Sequence, residues 1–183
     1  MINKTAIELM IPVSKYPIVS INDTLLDAIE EMDNIQIESA GRMALPRVVL
    51  VFNHGTELVG VLRRRDIFQG LESEYLVNNP TPHQRNWFDI HIDPNLSELS
   101  VSASFHSFKK NAMRKVKDIM VPIAHTIEHS DHAMKIISLM VEYNVSIIPV
   151  TKEQRIIGVV RSADVMHYIA HEILNVDQHI KKR

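Results

Sequence analysis

Two rhythms of apolar residues run through this chain, and both occur twice. Ala133, Ile136, Ile137, Met140 and Val141 recur every three or four positions, which is one face of a helix. Leu25, Ala28, Ile29 and Met32 repeat that spacing in the first half. Asp131 stands where it can cap the later helix, and Asn22, Asp23 or Thr24 can cap the earlier one. Each helical stretch is followed by dense β-branched runs. The later pair is VSIIPV (Val145–Val150) and IIGVV (Ile156–Val160), separated by polar TKEQR. The earlier pair is RVVLVF (Arg47–Phe52) and LVGVL (Leu58–Leu62), separated by NHGTE. Each pair predicts two strands joined by a tight turn. Helical spacing then resumes, through Val165, Met166, Ile169, Ala170, Ile173 and Leu174, and through Ile67, Phe68 and Leu71.

Three landmarks show that the halves are copies. IELMIP (Ile7–Pro12) matches KDIMVP (Lys117–Pro122), and DTLLDAIEEM (Asp23–Met32) matches DHAMKIISLM (Asp131–Met140). GVLRRRD (Gly60–Asp66) matches GVVRSAD (Gly158–Asp164). Each copy reads as an extended lead-in, then helix, strand, strand, helix. The predicted division is repeat 1 over 1–71, a long inter-repeat segment over 72–113, repeat 2 over 114–175 and a polar tail over 176–183. Repeat 1 carries an insertion at about 34–46, which predicts either a longer helix or a flap near a cleft. The inter-repeat segment holds Trp87, Phe88, Ile90 and Phe105, enough apolar surface to predict a docked arm. One copy alone buries too little surface for a stable core, so the two are expected to share one.

Composition narrows the classes. Lys and Arg number 20 and Asp and Glu 22, a net charge of −2, which argues against a nucleic-acid binder. There are no cysteines, so disulfides and thiolate metal sites are excluded. No apolar run approaches the roughly 18 residues of a membrane span, and the start of the chain lacks a signal-peptide core. A cytoplasmic protein with no membrane insertion is the expectation.

The ordered set of motifs, present twice, resembles a tandem pair of CBS domains, the cystathionine-β-synthase-type repeat that forms a Bateman module. VKDIMVP, SDHAMKIISLMVEYNVSIIPV and RIIGVVRSADV carry the resemblance in repeat 2, and AIELMIP, NDTLLDAIEEM and ELVGVLRRRDI in repeat 1. It covers roughly two-thirds of the chain. It implies an α/β fold, with two repeats packed about a pseudo-twofold axis. It also implies a regulatory module rather than an enzyme, commonly a homodimer. The implied ligand is adenosine-containing (AMP, ADP, ATP or S-adenosylmethionine) and lies between the repeats. No cofactor is required, and any output would pass to an unidentified effector protein.

The family pattern is Gly, two apolar residues, Ser or Thr, two residues, Asp, with the Asp on the ribose hydroxyls. Asp66 and Asp164 match that position, and Gly60 and Gly158 leave room for close backbone approach. The resemblance implies an apolar adenine slot at Ile18, Val19, Ile127, Val145, Ile147 and Pro149. Arg63 and Arg161 depart from the pattern, standing where Ser or Thr is usual. A guanidinium can grip a phosphate bidentately, or its bulk can close the pocket. Arg65 completes a basic run, Arg63–Arg65, that suits an anion or is simply solvated surface. The aspartates also have a ligand-free explanation, since an acid in the first helical turn favours the helix dipole.

The chain has 10 histidines, of which His167 and His171 are spaced one helical turn apart, but no third metal ligand is evident. No nucleophile–base set can be argued either. Two readings follow: an adenosine-ligand sensor, or a dimerisation and interaction scaffold with closed, ligand-free pockets.

Overall fold

The structure, a computed structural model, describes residues 3–39, 42–71 and 101–180. Repeat 1 opens with a short helix α1 (Ala6–Leu9), strand β1 (Ile11–Pro12), a 3-10 turn (Val13–Lys15) and strand β2 (Ile18–Ser20). Helix α2 (Leu25–Asn34) follows, then a hairpin of β3 (Ile37–Ser39) and β4 (Arg42–Ala44). The main hairpin is β5 (Val48–Asn53) and β6 (Glu57–Arg63), and helix α3 (Arg64–Leu71) closes the repeat. Helix α4 (Val101–Asn111) then precedes the second lead-in: a 3-10 turn (Val116–Asp118), β7 (Val121–Pro122) and β8 (Ile127–Glu128). Helix α5 (Ala133–Glu142), strands β9 (Ile147–Lys152) and β10 (Arg155–Arg161), and helix α6 (Ser162–Ile180) complete repeat 2.

The predicted helix–strand–strand–helix order is present in both halves. Thr24 caps α2, with its hydroxyl accepting from the Asp27 N–H and donating to the Asp27 carboxylate. Asp131 does not cap α5, because that helix starts at Ala133 and places His132 at the cap. Asp131 instead accepts from the Glu128 N–H and pairs with Lys135 at 2.8 Å. The β9–β10 turn rests on Glu153 and Gln154, both at positive φ, the backbone twist that two-residue hairpins require. The insertion does not lengthen α2, which ends at Asn34. It folds as β3–β4, with Ile37 opposite Ala44 and Glu38 opposite Met43. Helix α6 continues to Ile180, through residues expected as a polar tail. The arm residues Trp87 and Phe88 lie outside the described residues.

The repeats exchange their lead-ins. One sheet runs β1-β10-β9-β8 and the other β2-β5-β6-β7. Thus Ile11 and Pro12 of repeat 1 pair with Val159 and Gly158, while Val121 and Pro122 pair with Val61 and Gly60. Backbone bonds extend the exchange: Ala6 N–H donates to the Asp131 carbonyl at 2.8 Å, and Val116 N–H to the Asp23 carbonyl at 2.9 Å. The cores follow suit. Ala6 and Leu9 are buried in the core of repeat 2 with Ile136, Ile148 and Val160. Val116 is buried in the core of repeat 1 with Leu25, Val49 and Leu62. A third cluster, including Ile11, Tyr16, Ile37, Leu50, Phe52 and Val159, joins the two sheets. Each repeat therefore lacks part of its core without the other.

Candidate functional site

In both repeats the arginine and the aspartate bind each other. The strand ends at the arginine and the helix starts immediately after it, so Asp66 and Asp164 fall in the first turn, one turn from Arg63 and Arg161. Arg63 donates from Nε and an Nη to the two Asp66 oxygens, both at 2.8 Å. Its backbone N–H adds a third bond to Asp66 at 2.9 Å, the helix-capping contact of an acid in the first turn. Arg161 makes the same fork on Asp164 at 2.6 and 2.7 Å. These charge-assisted bonds raise the pKa of both guanidinium groups. The anion each arginine grips is thus its own aspartate.

The pairs differ in burial. In repeat 1 the Asp66 side chain is 5% exposed and that of Arg63 49%. In repeat 2 the Asp164 and Arg161 side chains are 14% and 16% exposed. A carboxylate has about four lone-pair positions, and Arg63 occupies three on Asp66. Too few remain there for both hydroxyls of a ribose.

Close approach at the two glycines is made by protein. A Cβ on Gly158 would lie 2.5 Å from Met10 Sδ and 2.8 Å from the Ile11 carbonyl oxygen. A Cβ on Gly60 would lie 2.8 Å from Met120 Sδ and 3.0 Å from the Val121 carbonyl oxygen. The space that the sequence reading kept for a ligand holds the opposite repeat's lead-in.

Asp164 lines a cleft of about 220 Å3 between the repeats. Its walls are Lys4, Glu8, Leu9 and Ile11 of the first lead-in, Glu38 of the insertion, and Asp164, His167 and Tyr168 of repeat 2. Thr5 donates its N–H and hydroxyl to Glu8 at 2.9 Å, which lowers the Glu8 pKa. The Tyr168 hydroxyl accepts from the Asn3 N–H at 2.8 Å, closing one end. Tyr16 is 3% exposed, and its hydroxyl is buried with no hydrogen-bond partner among the described residues. Burial pushes its pKa well up; Arg161 opposes that shift and Asp164 adds to it.

The other expected residues scatter. Val19 and Ile127 are buried in the separate cores of repeats 1 and 2. Val145 is half-buried against the core of repeat 2 and Ile147 against the cluster that joins the sheets, and Pro149 is buried within β9. Ile18, 39% exposed, and Val19 together line a different cleft with Asp23, Asp27, Glu30 and Glu31. Arg65 is exposed. Arg64 donates from Nε and Nη to the Pro46 carbonyl and from Nη to that of Leu45 at 2.8–3.1 Å, tying the insertion to α3. The His167 and His171 rings meet edge to face at 4.4 Å. No three His, Asp or Glu side chains converge on a metal position among the described residues. The sequence reading missed Lys4, Glu8 and Glu38 as lining residues, and read His167 only as half of a possible metal pair. Only Glu38 had a local signal: Ile35-Gln36-Ile37-Glu38 alternates as a strand does.

The family model described as CBS domain matches residues 6–73 and 116–171. Among solved structures, the CBS domain of a CBS-domain-containing membrane protein from Sphaerobacter thermophilus is similar, at 16% identity and a TM-score of 0.61, over 91% of this chain and 88% of that one. A CBS-domain-containing protein of unknown function from Kribbella flavida DSM 17836 gives 12% identity and a TM-score of 0.64, over 91% and 98%. CBSX2, solved in complex with AMP, gives 16% identity and a TM-score of 0.56, over 91% and 96%. No curated protein matches the sequence. No helix among the described residues is long and apolar enough to cross a membrane. With the family model matched once in each half and the lead-ins exchanged between two sheets, this chain belongs to the CBS-domain family, as a tandem pair.

Proposed function

We propose that this CBS pair is a regulatory module that binds one adenosine-containing ligand in the Asp164 cleft and passes its occupancy to a separate effector protein. The observation that carries the reading is the make-up of that cleft. Both repeats and the insertion contribute walls, so a ligand there bears on how the halves fit together. CBSX2 has been solved with AMP, which makes an adenosine ligand the natural first candidate. In repeat 1, Arg63 fills most of the acceptor capacity of Asp66. The module acts by binding rather than by chemistry.

Thermal unfolding of the full chain with adenosine, AMP, ATP and S-adenosylmethionine tests this. A ligand at a hundred times its Kd stabilises by about 2.7 kcal/mol, which raises the Tm of a chain this size by roughly 5–10 °C. Asp164→Asn is expected to weaken binding about tenfold or more, and Asp66→Asn less than about twofold. No shift with any of the four at millimolar concentration would establish the scaffold reading instead.

A second copy fits the exposed apolar residues of α5 and α6. Met134, Val141, Met166 and Ile173 are 57%, 76%, 65% and 56% exposed. The proposed homodimer would bury them, and Val141→Glu with Met166→Glu would turn it into a monomer by sedimentation.

A further inference from the structure

The insertion hairpin gives the Asp164 cleft a wall that is absent from the equivalent part of repeat 2. Ile37 is 1% exposed and packs in the same cluster as Tyr16. Strand alternation then turns Glu38 outward, where it lines the cleft with Asp164. Pairing of Glu38 with Met43 sets its register, and the bonds from Arg64 to the Leu45 and Pro46 carbonyls hold the return of the hairpin.

The lining carries three carboxylates, Glu8, Glu38 and Asp164; Arg161 neutralises Asp164, which leaves Glu8 and Glu38 against one lysine, Lys4. Arg161, which would otherwise meet an anion, is committed to Asp164 through two donors. A phosphate monoester would bring about −1.5 to −2 charges into that setting. Ribose hydroxyls need acceptors, and an ionised carboxylate offers only acceptors.

We propose that Glu38, delivered by the insertion hairpin, turns phosphorylated ligands away from the Asp164 cleft and leaves it to an unphosphorylated nucleoside-type ligand. This rests on the adenosine reading above and adds the ligand's charge class and the residue that sets it.

Isothermal titration of the full chain with adenosine and AMP, on wild type, Glu38→Gln and Glu38→Lys, decides it. Wild type should prefer adenosine. Glu38→Gln should narrow the preference and Glu38→Lys reverse it, a change of about tenfold in the ratio of affinities at low salt that shrinks as salt rises. Tm should stay nearly constant, since Glu38 is exposed. If wild type binds adenosine but binds AMP as well or better, or if Glu38→Lys leaves the ratio unchanged, the role of Glu38 is overturned and the adenosine reading stands. Equal weakening of both ligands in both variants would also overturn it, since the hairpin would then be a structural support. If neither compound binds any variant, the adenosine reading falls and this one with it.

Discussion

Repeat 1 and repeat 2 close their hairpins with the same arginine–aspartate fork but bury it differently. In repeat 1 the carboxylate is nearly enclosed while half of the arginine side chain meets water. In repeat 2 the two partners are buried alike and the aspartate borders an inter-repeat cleft. The neighbouring residues explain part of this. Repeat 1 continues Arg64-Arg65, and Arg64 turns to the insertion, whereas repeat 2 continues Ser162-Ala163. The same local motif can therefore serve as a helix cap in one copy and as the edge of a candidate site in the other.

The largest expected effect separates the two lead-in crossings. Gly158→Val should cost about 3 kcal/mol in urea unfolding, and Gly60→Val about 1–2 kcal/mol. The reason is the tighter backbone contact at Gly158, 2.8 Å to the Ile11 carbonyl against 3.0 Å to that of Val121. Equal losses would show that the two crossings are equivalent.

Next come the forks. Arg63→Ala leaves an enclosed carboxylate with one backbone donor and should cost about 2–3 kcal/mol. Asp66→Ala frees an arginine that can hydrate and loses mainly the cap, about 1 kcal/mol. In repeat 2, Arg161→Ala and Asp164→Ala should cost similar amounts, because the partners are equally buried. Chemical denaturation of the four variants would sharpen the contrast, or remove it if the repeat 1 pair also came out equal.

Smaller differences lie at the first long helix of each repeat. Thr24→Ala should remove about 1 kcal/mol from repeat 1, where the cap is complete. His132→Ser should add about 0.5 kcal/mol to repeat 2, whose cap position has no side-chain bond. Tyr16→Phe should be nearly neutral at pH 7, since the hydroxyl has no partner to lose. The raised folded-state pKa of Tyr16 favours the protonated phenol. Its contribution is complete below the unfolded value of about 10 and is lost as the pH climbs above it. Wild type should therefore lose stability above about pH 10 more steeply than Tyr16→Phe, as read by denaturation at pH 8 and 11.

Much of the fold was legible because its signals are local. The helical spacing at Ala133–Met140, the β-branched runs around Val49 and Ile148, and the duplicated landmarks each need only neighbouring residues. The site was less legible. Asp164 stands out through a motif and the insertion suggests a flap near a cleft, but Glu38 itself comes from an element remote in sequence, and nothing beside it points to Asp164. Ile127 is buried in the core of repeat 2, and in a sequence an apolar strand residue looks the same whether it faces a core or a ligand.

By itself the sequence determined the repeat, the order of elements and the placing of each aspartate one helical turn after its arginine, since periodicity and spacing act over a few bonds. Only the tertiary structure decided that each arginine folds back onto its own aspartate, that the glycines admit the opposite lead-in, and that both repeats wall the cleft at Asp164. Those outcomes depend on which backbone crosses which strand and how much water is left at each carboxylate. Such long-range contacts leave no mark on the residues that make them.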